Sequence, residues 1–236
     1  MTPRELEAVL EATWPPAATC RAGPWLIRDG LGGGKRVSAA TAAADWQVAD
    51  IATAEAAQAA LGQPALFMIR PGEDALDAAL AAQGYRVVDP VLAYAAPVVS
   101  LAHPAPDPTA GFAHWPPLGI TADIWASCGT DAARLRVMDR ATGPKCVILG
   151  RHNDRVAGVA FAAIHGATAM LHALEVLPAQ RRQGSAHSML RCAAIWAQDH
   201  GATQLSLVVT AANTGARALY ASLNMQIVGQ YHYRMK

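Results

Sequence analysis

The chain has 236 residues, 53% of them hydrophobic and 16% charged, with a formal net charge of +1. That is enough apolar material to fill one large domain or two small ones, and it excludes wholesale disorder; the balanced charge excludes a general nucleic-acid binder, which carries a basic face or stripe. No apolar run reaches the ~18 residues of a membrane span, the start Met1-Thr2-Pro3-Arg4-Glu5-Leu6-Glu7 lacks a leader pattern, and Cys20, Cys128, Cys146 and Cys192 stand too far apart for a C-x-x-C metal or redox motif, so no metal and a reducing cytoplasm are expected.

In chain order, the first glycine cluster is Gly30-Leu31-Gly32-Gly33-Gly34-Lys35-Arg36. A phosphate loop of the G-x-x-x-x-G-K-[ST] type would need Gly at Asp29 and Ser or Thr at Arg36. Both fail, and the segment reads as a flexible turn before a strand. Ala65 to Arg70 then reads as a strand, Glu73 to Gln83 as a helix, and Gly84-Tyr85-Arg86-Val87-Val88 as the start of another strand.

From Pro97 through Pro108, and on to Pro116-Pro117, repeated proline withholds backbone donors. This stretch reads as an extended linker. The expected division is a first module over 1–97, a linker over 98–117 and a second module over 118–236.

Within the second module, Asp131 to Arg140 reads as a helix. Cys146 to Gly150, Arg155 to Ile164 and Thr168 to Val176 read as three strands whose short turns make an antiparallel meander. Ser185 to His200 reads as a helix with Met189, Leu190, Ala193 and Trp196 on one side and Gly201 as its stop. Gln204 to Thr210 reads as a buried strand, Asn213 to Leu223 as a helix, and Met225 to Met235 as one or two closing strands. A shift of 140 positions carries the end of the first module onto the end of the second: Gly84 falls on Asn224, Tyr85 on Met225, and Ala79-Leu80 on Leu219-Tyr220. This is a weak internal repeat, of which shared element order explains a part.

Between the third strand of the meander and its following helix lies Arg181-Arg182-Gln183-Gly184-Ser185-Ala186. The first N–H groups of a helix have no partners within it and its dipole favours negative charge there. Gly184 lets a phosphate oxygen approach closely, and two arginines add charge. By itself the pattern also fits an ordinary strand–helix connection with solvated arginines.

The longer stretch Val176-Leu177-Pro178-Ala179-Gln180-Arg181-Arg182-Gln183-Gly184-Ser185-Ala186 resembles the V-x-P-x-x-R-x-x-G-x-G/A signature of the GNAT superfamily of acyl-CoA-dependent N-acyltransferases. Asn213-Thr214-Gly215-Ala216-Arg217-Ala218-Leu219-Tyr220-Ala221-Ser222-Leu223-Asn224-Met225 resembles that family's N-x-x-A-x-x-L-Y-x-x-L-G-F segment, departing at Asn224 for Gly and Met225 for Phe. The resemblance covers about half the chain. It implies an α/β (α+β) GNAT fold, a mixed central sheet flanked by helices, with a smaller GNAT-like first module.

The resemblance further implies that acetyl-CoA is the cosubstrate and that its acetyl group passes directly to a primary amine. The backbone of Leu174, Glu175 and Val176 would hold the pantetheine arm, with the N–H near Val176 polarising the thioester carbonyl. Arg181, Arg182, Gln183, Gly184, Ser185 and Ala186 would hold the pyrophosphate. Tyr220 matches the family's acid for the departing thiolate; read alone, it is a packing aromatic. Asn213 would contact CoA or cap its helix. His172 and Glu175 are candidate bases for the incoming amine, and strict alternation puts them on opposite faces unless a bulge intervenes. A structural role stays open for each.

The first module has Leu80 where Tyr220 stands and no R-x-x-G-x-G/A between Trp46 and Leu61, so no second CoA site is expected. Gly23-Pro24-Trp25-Leu26-Ile27-Arg28 followed by Lys35-Arg36-Val37-Ser38 resembles the N-terminal portion of some two-part GNAT proteins, which implies a wall for one side of the acceptor pocket; a structural cap or homodimer surface is the equal alternative. Trp115, Trp125, Asp123 and Asp131 could hold an amine, or could be core and capping residues. The acceptor, a small molecule or a peptide amine, is not readable. The alternatives to an enzyme are a non-catalytic acyl-CoA-binding or regulatory module and an unrelated small-molecule α/β domain.

Overall fold

A computed structural model describes all 236 residues. Helix α1 (Pro3–Thr13) starts at a capping box in which Thr2 accepts from the Glu5 N–H and Glu5 accepts from the Thr2 N–H. Strands β1 (Ala18–Ala22), β2 (Trp25–Asp29) and β3 (Thr41–Ala42) form a small antiparallel sheet. Helix α2 (Ile51–Ala60), strand β4 (Leu66–Ile69), helix α3 (Asp74–Ala82) and the long strand β5 (Arg86–Pro97) follow. Trp25, Ile27, Phe67, Leu76 and Leu80 are fully buried between these elements.

The proline-rich stretch is structured. It contains a helical turn α4 (Val98–Leu101), whose Val98 and Leu101 are buried, and strand β6 (Gly111–His114). Proline withholds donors only at its own positions, which leaves Gly111 to His114 free to pair with Val147 to Gly150. Next come α5 (Gly119–Ser127), α6 (Ala132–Arg140), and the meander β7 (Lys145–His152), β8 (Arg155–His165) and β9 (Thr168–Val176). Helix α7 (Ser185–Asp199), strand β10 (Gln204–Thr210), helix α8 (Thr214–Ser222) and strand β11 (Gln226–Met235) complete the chain.

Eight strands form one sheet in the order β4-β11-β5-β10-β9-β8-β7-β6. Only β9 and β10 are parallel neighbours; every other adjacent pair is antiparallel. The order contains an exchange. Strand β5, read from the sequence as the end of a first module, lies between β10 and β11. Strand β11, at the other end of the chain, lies between β5 and β4. Backbone hydrogen bonds therefore run across the expected boundary at residue 97, and α1 packs on the same sheet through Leu6, Val9 and Leu10 beside Met170 and Tyr231.

The repeat has a structural counterpart. The unit β4–α3–β5 recurs as β10–α8–β11, and the burial classes of residues 81–93 match those of 221–233 position by position. Gly84 and Asn224, the two helix stops, both adopt a left-handed backbone, with φ of 85° and 55°. Asn is among the few other residues that tolerate this region.

Ion pairs tie the exchanged strand down. Asp77 on α3 takes two hydrogen bonds from Arg234 on β11, at 2.7 and 2.9 Å, and one from His232 at 2.6 Å. The Arg234 hydrogen bond, with help from His232, pulls the Asp77 carboxyl down to about 2. A depressed folded-state value stabilises the fold above the unfolded value near 4, and that contribution is lost as pH falls through the folded one. Allowing for partial exposure, Asp77→Asn should cost roughly 1–2 kcal/mol at neutral pH. The Tm gap between wild type and variant should close as pH is lowered from about 5 towards about 2; a gap independent of pH would reject this pairing as the source.

Candidate active site

Strands β9 and β10 pair for only four residues, from Thr168–Gln204 to Leu171–Leu207. Beyond that they part, and the gap is where the site forms. On its other edge β9 stays on β8, but the register shifts between Phe161–His172 and Val159–Glu175. Two residues of β9, Ala173 and Leu174, thus oppose the single Ala160, and Ala173 takes a left-handed φ of 48°. This is a bulge. It is held by the Trp125 indole N–H, which donates to the Ala173 carbonyl at 2.8 Å. The extra residue resets the alternation, so His172 and Glu175 line the same cavity. The Leu177 N–H donates across β8 to Ala157. Alternation therefore turns the N–H and carbonyl of Val176 the other way, into the gap beside β10.

Two cavities meet at this gap. One, of about 790 Å³, runs between the 181–187 loop and α8 and is lined by Val176, Arg181, Arg182, Gly184, Ser185 and Ala186 among others. The second, of about 400 Å³, lies on the side of the chain's N-terminal half and includes Trp14, Gly33, Gly34, Lys35, Arg36, Arg134, His172, Tyr231 and Tyr233. Leu174, Glu175, Asn213 and Tyr220 line both.

The loop is built as an anion cradle. Gly184 caps α7 in a left-handed conformation, φ 84°, with no side-chain cap bond, and a Cβ there would meet no atom within 4 Å. The N–H groups of Gln183, Gly184, Ser185, Ala186 and His187 donate to no protein acceptor, so the first turn of α7 presents a row of free donors. Arg181 is fixed by its Nε donating to the Val176 carbonyl at 3.1 Å, whereas Arg182 is exposed and makes no such bond. Gln183 donates to the Ala179 carbonyl at 2.9 Å. Asn213 caps α8 through its Oδ1, which accepts from the Ala216 N–H at 3.0 Å.

Tyr220 sits at the junction of the cavities, 6% exposed, with its ring 5.4 Å from that of Tyr94 on the exchanged strand β5. Its hydroxyl donates to no protein atom. Burial first, then the neighbouring Glu175 and Tyr94, push its phenol up to about 12. Glu175 makes no ion pair. Burial raises its carboxyl above the ordinary range, while Arg181 and Arg134 draw it partly back.

His172 is different. Thr13 on α1 donates its hydroxyl to the Val9 carbonyl at 2.6 Å, which leaves the Thr13 oxygen to accept from His172 Nε2 at 2.9 Å. His172 Nδ1 then accepts from Arg36 Nη1 at 3.2 Å. Both ring nitrogens are occupied, Trp14 covers the ring at 4.9 Å, and burial with the adjacent guanidinium holds its pKa well below the ordinary value. In this geometry neither nitrogen is free to take a proton.

Of the other residues considered for an acceptor, Trp125 is fully buried and Asp131 caps α6 by accepting from the Arg134 N–H at 3.1 Å. Trp115 is covered by Lys145, 4.4 Å above the ring. The residues that do line the second cavity, Trp14, Lys35, Arg36, Arg134, Tyr231 and Tyr233, carry no motif. The glycine run beside Lys35 and Arg36 has a packing reason: a Cβ on Gly33 would come within 2.5 Å of Val137, so only glycine lets this turn lie against α6.

The counterpart in the N-terminal half is the space past the parallel bridge from Ala40 to Phe67, and a side chain crosses it. Arg70, at the end of β4, reaches the Ala42 carbonyl of β3 at 2.8 Å and is paired with Glu73 and Glu7. No group of three or more His, Cys, Asp or Glu side chains could hold a metal ion, and no helix is long and apolar enough to cross a membrane.

Residues 113–225 match the model of the acetyltransferase (GNAT) family. Among solved structures, the chain is similar to a GCN5-related N-acetyltransferase from Kribbella flavida at 21% identity and a TM-score of 0.72, over 99% of this chain and 94% of that one. It is similar to a tandem GNAT protein from the clavulanic acid biosynthesis pathway at 13% identity and a TM-score of 0.62, over 96% and 85%. A functionally unknown conserved protein from Staphylococcus epidermidis gives 11% and 0.65, over 92% of each. None of the curated proteins matches. These likenesses establish the GNAT fold.

Gly184 lines the larger cavity, and a side chain there must adopt a strained backbone. Gly184→Val should lower coenzyme A affinity at least about tenfold in calorimetry, with the thermal unfolding transition still cooperative. Unchanged affinity would remove the loop from the site.

Proposed function

We propose, from the premise that residues 113–225 are a GNAT acetyltransferase-family domain, that the chain transfers an acetyl group from acetyl-CoA to a primary amine. The observation that carries this reading is the junction at Leu174, Glu175, Asn213 and Tyr220, where a groove bordered by unpaired backbone N–H groups opens into a second, separate cavity. A cosubstrate and an acceptor can enter from opposite sides and meet.

The free N–H groups from Gln183 to His187 suit a pyrophosphate, and Arg181 adds charge. Acetyl-CoA supplies the acyl group as an activated thioester. The Val176 N–H, turned into the gap, is the donor for the oxygen that becomes negative as the amine adds to the acyl carbon. Glu175, uncommitted and at the meeting point, takes the proton that the ammonium must lose, directly or through one water. Tyr220 gives its proton to the sulfur as the carbon–sulfur bond breaks, and the nitrogen's second proton, shed as the amide forms, restores the phenol. A phenol held near 12 stays protonated through the working range. His172, with both nitrogens engaged, is a positioning residue between α1 and Arg36. The Arg70 side chain across the counterpart space in the N-terminal half supports one acyl-CoA site per chain. Four free cysteines suit a reducing cytoplasm.

Tyr220→Phe should lower kcat roughly 10²-fold at neutral pH with the KM for acetyl-CoA within about twofold. Because Glu175 must be ionised to act, kcat/KM should rise with pH through an ionisation above the ordinary carboxylate range. Glu175→Gln should abolish that limb and lower kcat by about 10²–10³. A thiol-release assay over a panel of amines gives all three readouts. Tight coenzyme A binding without release for any amine would instead support a non-catalytic acyl-CoA module.

A further inference from the structure

The second cavity contains a cation without a counter-ion. Arg36 takes part in none of the chain's ion pairs. Its Nη1 donates to the neutral His172 ring at 3.2 Å, its Nε is buried with no partner, and the side chains of Tyr231 and Tyr233 lie against it, neither of them a carboxylate. The other charges of this cavity are already engaged or lie at its far end: Lys35 is paired with Asp89 at 2.9 Å, Arg134 donates to the Gly129 carbonyl, and Glu175 stands at the junction. A half-buried guanidinium whose Nε is closed off from solvent is costly to hold without a carboxylate.

A second feature on the same wall points the same way. Tyr231, beside Arg36 and Tyr233, is 6% exposed and its hydroxyl makes no hydrogen bond of good geometry. Buried hydroxyls are seldom left so. The neighbouring Tyr233 lines the wall as well, and burial keeps its phenol protonated. One side of this cavity thus offers a guanidinium and two phenols, which are donors, while the other offers the Glu175 carboxylate and the entry to the thioester.

We propose that the acceptor is a small molecule carrying an anionic group, carboxylate or phosphate, besides its amine, and that Arg36 holds that group while the amine faces Glu175. The inference rests on the acyl-transfer reading above and narrows it. Arg36 touches His172, which lies three residues before Glu175 on β9, so the backbones of His172 and Glu175 are within roughly 10 Å at about 3.3 Å per residue. An amino acid or aminoalkyl phosphate with a short chain between its two groups spans that distance. Planar, bidentate donation is what arginine offers an anion of either kind.

The test uses the full chain with acetyl-CoA and a panel of straight-chain amino acids of two to six carbons, their carboxamides, and the corresponding aminoalkyl phosphates. At least one acid or phosphate should be acetylated with a KM about tenfold or more below that of its neutral counterpart. The carboxylate and phosphate arms tell the two anions apart. Arg36→Met should erase the preference and Arg36→Lys should retain part of it, with coenzyme A affinity unchanged in both by calorimetry. Retention by Arg36→Lys also guards against a folding defect, since lysine can still donate to His172. A turnover-independent arm follows the thermal shift of the coenzyme A-loaded protein with the same panel: acids or phosphates should raise Tm in wild type but not in Arg36→Met. Equal KM for charged and neutral members, or a preference that survives Arg36→Met, overturns the proposal. If no amine is acetylated the acyl-transfer reading fails, and the thermal shifts alone then decide whether Arg36 binds an anion.

Discussion

Strands β9 and β10 hold one another for four residues and then separate, and most of what is distinctive here depends on that parting. A parallel pair inside a sheet normally satisfies both backbones along its length. Here the unpaired ends of β9 and β10 must be supported from elsewhere. On one side β8 follows β9 through the bulge at Ala173, which Trp125 pins. On the other side β5 stays paired with β10 along the whole of Gln204 to Thr210. Each separated strand is thus rigid on its outer edge, so the gap persists as a slot. Backbone donors within the slot, the N–H row at the start of α7 and the carboxylate of Glu175 all face one place.

The bulge decides which side chains share that place. Without it His172 and Glu175 would lie on opposite faces of β9. With it they face the same cavity but do unlike work. His172 is enclosed by Trp14, Thr13 and Arg36, and its surroundings favour the neutral ring. Glu175 sits between the two cavities with no partner, in surroundings that raise its carboxyl. Two groups three positions apart differ because α1 covers one of them and leaves the other open.

Much of this was legible in the sequence where a local rule decides it. The bounds of β9 and β10, the Asn213 cap and the left-handed stop at Asn224 follow from periodicity and from the few residues that suit those backbones. The loop from Arg181 to Ala186 was legible as a strand–helix connection because few residues suit the left-handed backbone at Gly184. The exchange of β5 and β11 was not readable. Each strand carries the same alternation whichever neighbour it takes, and nothing in its own residues names that neighbour. The bulge was anticipated only as a possibility, since Ala173 has no side chain that announces a positive φ. Arg36 was legible only as part of a segment that resembles a pocket wall, because what sets it apart from its neighbours is the His172, Tyr231 and Tyr233 side chains around it in space.

The exchange of strands also bears on how the chain comes to be folded. Strand β5 emerges from the ribosome more than a hundred residues before its neighbours β10 and β11, so the N-terminal half leaves synthesis with an unfilled place beside β4 and a strand it cannot use. Proteins usually avoid a long open edge of this kind, and the early half depends on the last ten residues of the chain to close it. The two halves are therefore partners in one cooperative unit, and a nascent chain that stalls before β11 would present to its neighbours the same strand edges that the finished protein hides.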